Sequence, residues 1–510
     1  MPQNGATTNP IPSCCRAPTT TSVSTAGRRL MQSPEPACMM NNTMPAGANY
    51  GHWGYWYDLL EPRMVVNGSG SIINVEMPTF VAGTNWEEMG KNDPGMEDLY
   101  AWTDDGPAVK WKGPNGTTGG HWMAGPIYVC GAEPGDVLQV DIIDLQPRKN
   151  PQNESYGTTT NFGIGWWNRV GYITEGYNAT RNGAILFKAI YDNSTGRAIA
   201  WEPVYAFDNS DPRMGNVTTP GCLPQSAPMP GATPAGAAVY NNTDYNNTKM
   251  FPPCINNTQT WQLPAVYSGL KYDPPMEVRD YSIQGKFRLP INMHIGNMGL
   301  APAVGAPVST SPPMRSGGNL DNKRIGIGAT MYYPVEVAGA LLSMGDCHGH
   351  QGDGESAATG VETSLNGQFR ITLHKANNLP KKVQLLDYPL LENANEHIIH
   401  GYAYRDWLRE IPNPQNNVGA YGPLGGVDMN RAQSVVYNET REFLINYYGI
   451  TEDTAINVMS HLDFQITQIV DSNVGIQARI PKWIFDPTAW QTQPYYEAKV
   501  MDGTSRTAYP

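Results

Sequence analysis

Short runs in which apolar and polar residues alternate, punctuated by Gly, Pro and Asn clusters, dominate the chain and predict a mainly β protein with long loops. Met64-Val-Val, the turn Asn67-Gly-Ser-Gly and Ser71-Ile-Ile-Asn-Val-Glu76 read as a hairpin. A second strand pair is expected around Gly125-Pro-Ile-Tyr-Val-Cys130 and Val137-Leu-Gln-Val-Asp-Ile-Ile143, where Leu138, Val140 and Ile142 share one face. Between them, Glu133-Pro-Gly-Asp136 places Pro and Gly at the central positions of a type II turn. Further strands are expected over 281–287, 330–337 and 368–374, and Val337-Ala-Gly-Ala-Leu-Leu-Ser-Met344 reads as a buried one.

Helical spacing appears only near the end of the chain. Within 428–448, Ala432, Val435, Val436, Phe443, Leu444 and Tyr447 recur on one face, and Gly449 is placed to close the helix. Thr451 is the expected N-cap of a second helix, with Glu452 and Asp453 in its first turn and a stripe of Ala455, Val458, Met459 and Leu462. Residues 464–470 return to a strand pattern. The resulting organisation is a disordered or extended tail (1–48), an N-terminal β domain (49–206), a Pro/Gly/Asn-rich insertion (207–260), a central β region (261–375) and a C-terminal α+β region (376–510).

Composition narrows the function classes. Of 510 residues only 16% are charged, while Gly (53) and Pro (43) are abundant, as turns between short strands require. A net charge of −12 argues against nucleic acid or an anionic membrane as the main partner. No apolar run approaches the ~20 residues that span a bilayer, so membrane insertion is not expected. Neither phosphate-binding glycine motif occurs on a strand-to-helix turn. The start of the sequence lacks a secretory signal pattern, and Arg28-Arg29 is followed by Met-Gln-Ser-Pro rather than an apolar run.

Cysteine and asparagine usage nevertheless point to an oxidising compartment. Seven cysteines allow a Cys222–Cys254 bridge and a bridge from Cys38 to Cys14 or Cys15. Eleven Asn-x-Ser/Thr sequons, at Asn41, 67, 115, 153, 178, 193, 216, 241, 246, 256 and 438, are roughly twice the chance number. A secreted protein with N-glycans is the expectation. The alternative is a cytoplasmic protein whose Asn/Thr-rich loops produce sequons without glycans.

The densest candidate chemistry lies in Met344-Gly-Asp-Cys-His-Gly-His-Gln-Gly-Asp-Gly-Glu355. In an extended backbone Asp346, His348 and His350 share a side, as do Asp353 and Glu355. Glycines at 345, 349, 352 and 354 let such a loop wrap closely around an ion. Mixed imidazole and carboxylate donors suit Zn²⁺ or a similar metal, and an all-oxygen cage would suit Ca²⁺. A hydrogen-bonded polar turn is the plainer reading of the same loop. His121, His294, Asn319 and Asp321 stand in comparable glycine-rich contexts, although each alone is more often a turn-former or a satisfied core group.

The runs HWMAGPIYVCGAEPGDVLQVDIIDLQPR, HIGNMGLAP, GGNLDNKRIGIGATMYYPVEVAGALLSMGDCHGHQGDGE and ITEDTAINVMSHLDFQITQIVDSNVGIQARIPKWIF resemble the acetamidase/formamidase family, in the family's order from about residue 50 to 486. The resemblance implies hydrolysis of short aliphatic amides to carboxylate and ammonia. It also implies a divalent metal, Zn²⁺ foremost with Ca²⁺ or Mn²⁺ as alternatives. The implied fold is a jelly-roll-like β-sandwich with a smaller β-barrel and a C-terminal α+β segment, assembled as a homo-oligomer. The family's motifs fall on His121, His294, Asp321, Asp346, His348, Asp353 and Glu355, and His52 matches a further family histidine.

On that basis Glu355 or Asp353 is the expected proton carrier and His121 or His294 the expected oxyanion donor. Asp346, His348, Asp321, His350 and His52 are the expected metal ligands. Cys130 stands where relatives carry Glu, and Cys347 and His350 stand where relatives have Gly and a small residue. Cys347 can be read as a soft ligand, as a nucleophile beside His348 or as a buried inert thiol. No Gly-Gly-Ser-Ser-Gly serine loop is present. The non-enzymatic alternative is a secreted, glycosylated structural or binding protein that keeps the fold.

Overall fold

The computed structural model describes residues 12–15, 42–83, 85–100, 102–103, 106–107, 121–160, 183–208, 278–357, 359–410, 429–469, 473–486 and 488. Most of the 1–48 tail, the 207–260 insertion beyond residue 208 and the Cys222–Cys254 pair lie outside the described residues.

Eighteen strands carry the description: β1 (Gly51–Trp53), β2 (Met64–Asn67), β3 (Ser69–Met77), β4 (Trp122–Cys130), β5 (Val137–Pro147), β6 (Tyr156–Thr160), β7 (Gly183–Tyr191), β8 (Ala198–Asp208), β9 (His294–Leu300), β10 (Gly317–Asn319), β11 (Thr330–Pro334), β12 (Leu342–His348), β13 (Glu362–Thr363), β14 (Leu365–His374), β15 (Leu390–Glu392), β16 (Glu396–Tyr402), β17 (Asp463–Ile466) and β18 (Gly475–Pro481). A nine-stranded sheet runs Thr43–Met44, β3, β14, β5, β11, β15, β16, β18, β17. An eleven-stranded sheet runs Leu289–Pro290, β8, β7, β6, β13, β12, β9, β10, and β4 joins it through β12 while also pairing with β1 and β2.

The sheets share one core. Ile73, Val75, Leu138, Val140, Met331 and Phe369 from the first meet Ile127, Val129, Ile295, Met298, Leu342 and Met344 from the second. Such interdigitated inner faces define a sandwich. The mainly β expectation therefore holds. Among the described residues no closed barrel forms, and the nine-stranded sheet keeps open edges at Thr43–Met44 and β17.

The expected hairpins are instead corners between sheets. β2 pairs in parallel with β4, whereas its sequence neighbour β3 pairs with β14. β4 and β5 divide in the same way, although the turn between them forms as predicted, with Asp136 N–H donating to the Glu133 carbonyl at 3.1 Å and Gly135 at φ 94°. Each strand buries an apolar face, and crossing to the opposite sheet lets both faces enter the same core. Two other expectations change. Residues 281–283 form a single 3-10 turn, whose Asp280 carboxylate accepts the Ser282 N–H at 2.8 Å. Residues 339–341 form a left-handed turn (φ 78°, 59°, 55°), so the buried strand begins only at Leu342.

The C-terminal helices follow their pattern. α1 (Met429–Phe443) continues into a π-turn over Leu444–Tyr448 that ends at Gly449 (φ 72°), and Thr451 caps α2 (Glu452–Met459) by accepting the Thr454 N–H. Ala432, Val436 and Leu444 pack with Ile399, Ile476 and Ala478 of the nine-stranded sheet. Among the described residues no helix is long and apolar enough to cross a membrane. Cys15 bridges to Cys130, not to Cys38, with the Cα atoms 5.2 Å apart, and Cys14 is also disulfide-bonded.

Candidate metal centre

The centre is built on β12, and a slip in that strand creates it. Strict alternation from Leu342 and Met344 would send Asp346 and His348 into the core and Cys347 out. Cys347 joins the core instead. Asp346, at φ 51°, takes up the slip, so that Asp346 and His348 face away from the core together. β9 lies alongside with His294 opposite His348, and β13 places Glu362 opposite His348 from the other side.

Around His348 Nε2 lie Glu362 Oε1 at 3.0 Å, Glu355 Oε1 at 3.3 Å and Asp346 Oδ1 at 3.6 Å. The other Asp346 oxygen is 3.7 Å from His121 Nε2. Asp321, also left-handed at φ 42°, completes a set with Asp346 and His348 whose ligand atoms all lie within 4.8 Å of one another. His348, Glu355 and Glu362 form a second such set. All four carboxylates are buried. No Lys or Arg among the described residues forms an ion pair with Asp346, Glu355 or Glu362.

Each side chain is held from behind. His348 Nδ1 lies 3.1 Å from His294 Nε2, and His294 Nδ1–H donates to the Asn292 carbonyl at 2.7 Å. Gln351 Nε2–H donates to the Asp321 carbonyl (2.7 Å) with its Oε1 3.0 Å from His294 Nε2, while Gln468 donates to Asp321 Oδ2 at 2.6 Å. Gly360 N–H donates to Glu355 Oε1 (2.6 Å) and lies 3.1 Å from Glu362 Oε1. The Asn297 amide donates to the Thr310 carbonyl (2.9 Å) and faces His121 Nδ1 at 3.3 Å. That nitrogen is therefore the acceptor, and the His121 proton sits on Nε2, facing the centre.

Electrostatics follow the crowding. Burial pushes Glu362 up to about 7, against the pull of His348. Burial also raises Glu355 well above the carboxylate range, with Glu362 and Asp346 adding to it. Burial opposes charge on His348, but Glu362, Glu355 and Asp346 outweigh it and hold the imidazole well above its ordinary value. Burial and the adjacent His348 drive His294 down to about 3.

A stability consequence follows. A group with a raised folded-state pKa keeps its proton longer in the folded than in the unfolded chain, so stability falls as pH rises between the two values. For Glu362 that window runs from 4.5 to about 7. The raised His348 acts in the same direction: its ion pairs are complete below 6.5 and are lost as pH rises through its folded value. His52, His294, His397 and His400, lowered by burial, act in the opposite direction, so the expected result is a difference between variants: from about pH 5.5 to about pH 8 the melting temperature of metal-free Glu362→Gln should rise more, or fall less, than that of the metal-free parent. Calorimetry on both chelated proteins checks this, and parallel pH profiles would contradict it.

The residues fit a divalent cation. Gly296 of β9 forms the floor: a Cβ there would stand 2.6 Å from the Asp346 carbonyl oxygen and 2.8 Å from both Asp321 Oδ1 and His348 Cε1. Glu362 Oε2 is buried with no hydrogen-bond partner. An oxygen-rich donor set with one or two imidazoles and no thiolate suits Zn²⁺ or Mn²⁺.

Of the residues singled out from sequence, His121, His294, Asp321, Asp346, His348 and Glu355 are brought together. Asp353 is not: its carboxylate lies at the surface, paired with Arg324 (2.9 Å) and Lys323 (3.2 Å). His350 lies beyond the end of β12, half-buried beside the Pro290 backbone and Lys323. His52 bonds Ser343 Oγ at 3.0 Å and packs edge-on to Trp56; burial, with Arg63 nearby, lowers it to about 3. Cys347 points into the core, 3.7 Å from Met77 Sδ, and burial raises its thiol far above the ordinary value, which fits an inert thiol. Cys130 is consumed in the disulfide. Glu362, Gln351, Asn297 and Gln468 were missed. Only Glu362 carried a signal, as a lone acid in the strand-like run Val361-Glu-Thr-Ser-Leu365.

A profile of the Acetamidase/Formamidase family matches residues 116–250 and 289–487. The acetamidase of Mycolicibacterium smegmatis is 31% identical over 252 residues, which cover 46% of this chain and 48% of that protein. The formamidase of Methylophilus methylotrophus is 28% identical over 247 residues, covering 47% and 48%. The chain thus spans about half the length of the curated relatives it matches. Crystal structures of acetamidases from Bacillus halodurans (TM-score 0.50, 18% identity, 87% of this chain and 99% of that one) and Yersinia enterocolitica (TM-score 0.51, 16% identity, 88% and 95%) share the fold.

Proposed function

The chain belongs to the acetamidase/formamidase family, and from that premise we propose that it hydrolyses short aliphatic amides, of the formamide and acetamide kind, to the carboxylate and ammonia. In this reading a divalent cation, Zn²⁺ foremost, is held by Asp321, Asp346, His348 and Glu362. The observation that supports it is the convergence of four buried carboxylates on one imidazole, with no ion pair from a described Lys or Arg to Asp346, Glu355 or Glu362. Buried like charges are costly unless paired or coordinated, and a divalent cation offsets them.

A cation held there would supply Lewis acidity, polarising an amide carbonyl and making water a better nucleophile near neutral pH. The residues divide the remaining work. Glu355, held by Gly360 N–H and the least buried of the four carboxylates, takes the proton from the attacking water and delivers it to the departing nitrogen. His121 directs Nε2–H toward the centre, where it donates to the developing oxyanion. His294 acts behind His348, fixing its ring rather than touching substrate.

A structural or binding protein that merely keeps the fold is not favoured, because the ionisable side chains converge instead of dispersing. The test combines elemental analysis of the purified protein with ammonia release from formamide and acetamide. Chelation should abolish release, and Zn²⁺ or Mn²⁺ should restore it. Ammonia release that survives complete removal of metal would overturn the proposal.

A further inference from the structure

Among the described residues asparagines are both buried and exposed, and some exposed ones, such as Asn74, Asn92 and Asn366, begin no sequon. Asn85, Asn297, Asn322 and Asn473 are buried, and their amides donate to Tyr205 Oη, the Thr310 carbonyl, Gln477 Oε1 and the Pro313 carbonyl. None of these four begins a sequon. The sequon asparagines within the described residues, Asn67, Asn153, Asn193 and Asn438, are all exposed. Asn67 ends β2 at a sheet-to-sheet corner, Asn153 sits left-handed (φ 63°) in the β5–β6 loop, and Asn193 is in the turn that Asp192 organises between β7 and β8. Among the described residues the carboxamides of these three have no hydrogen-bond partner, whereas Asn438 Nδ2 lies 3.4 Å from Glu442 Oε1 on α1.

A glycan is bulky and polar, so it persists only where the fold leaves the asparagine in solvent. Burial of the residue two positions on, as at Ser155, is no obstacle if transfer precedes folding. A separate observation concerns compartment. Cys15 and Cys130 are bridged across 115 residues, and Cys14 is bridged as well. Structural disulfides form and persist where the surroundings are oxidising.

We propose that Asn67, Asn153 and Asn193 are N-glycosylation sites and that the chain matures in an oxidising, glycosylating compartment. The donor is a lipid pyrophosphate-linked oligosaccharide. The asparagine Nδ2 attacks the anomeric carbon of its first sugar and forms the C–N bond. The C–O bond to pyrophosphate breaks, its electron pair leaves with the lipid pyrophosphate, and the amide gives up one proton. The turn at Asn193 and the corner at Asn67 leave their asparagines exposed to solvent.

The experiment uses the full chain isolated from its own cells. Peptide-N-glycosidase treatment in heavy-oxygen water converts a glycosylated asparagine to labelled aspartate, which peptide mass spectrometry reads. A parallel sample without the enzyme subtracts spontaneous deamidation. Label above that background at positions 67, 153 and 193, together with a Cys15–Cys130 linked peptide in the unreduced digest, supports the proposal, and a position without label overturns it for that site. Unmodified asparagine at all three positions, or free thiols at Cys15 and Cys130, overturns it. In a eukaryotic secretory host, Asn193→Gln should remove one step of gel mobility from the secreted protein, and an unchanged ladder would count against that site. Amide hydrolysis is not read in these assays, so their outcome is independent of the proposed activity.

Discussion

Replacing Glu355 by Gln is expected to lower kcat for formamide or acetamide roughly 10²–10⁴-fold, the range typical of a lost general acid–base group. The change keeps shape and removes the ability to carry a proton. The Gly360 N–H that holds Glu355 Oε1 at 2.6 Å can still donate to the amide oxygen. Glu355 stands 3.3 Å from His348 Nε2, close enough to act as a ligand, so the decisive second readout is metal content. If kcat falls while metal per chain and KM stay near the parent values, Glu355 moves protons. If metal is lost in proportion to activity, it is a ligand and the proton carrier must be sought elsewhere. Asp353→Asn provides the comparison, because its carboxylate lies in surface ion pairs with Arg324 and Lys323 and should change kcat little.

Gly296→Ala should damage the centre directly. A methyl group at that position would have to displace the Asp346 backbone oxygen, 2.6 Å away, and would also press on Asp321 Oδ1 and His348 Cε1, both at 2.8 Å. Overpacking of a rigid site costs roughly 1–3 kcal/mol of stability. The larger consequence is geometric: two ligands and the bend at Asp346 move together, so bound metal and amide hydrolysis should both be lost. Gly183→Ala is the control, since nothing lies within 4 Å of the added Cβ. Denaturant unfolding with elemental analysis distinguishes the outcomes. A Gly296→Ala protein that retains full metal occupancy would show that Gly296 is not the floor of the centre.

The roles of Asp321 and Gln468 illustrate how the sandwich and the C-terminal region cooperate. Asp321 follows β10 on the eleven-stranded sheet, yet its carboxylate is oriented by Gln468, which lies just beyond β17 at the edge of the other sheet. Groups that orient a metal ligand commonly affect affinity about 10–100-fold when removed. Damage to the C-terminal region is thus expected to reach the centre although none of its residues is a ligand.

Much of the architecture follows from local chemistry. The type II turn at 133–136, the alternation along β5 and β14, the Thr451 cap and the Gly449 terminus depend on neighbours a few residues apart, and all form as expected. The glycine-rich loop around His348 was also legible, because many polar groups crowded into a few positions stand out in any chain. Partner choice was not. An alternating run states that one face is buried but not against which strand, so β2–β3 and β4–β5 look like hairpins until two sheets compete for their faces. Parity failed at one residue for a related reason. The left-handed bend at Asp346 sends Cys347 into the core and leaves His350 and Asp353 outside the centre. Sequence by itself determined the family, the mainly β class and the acidic loop, because these depend on residue types and short spacings. Only the tertiary structure decided that Glu362 belongs with His348 and Asp353 does not, since strand pairing sets that choice across long stretches of chain.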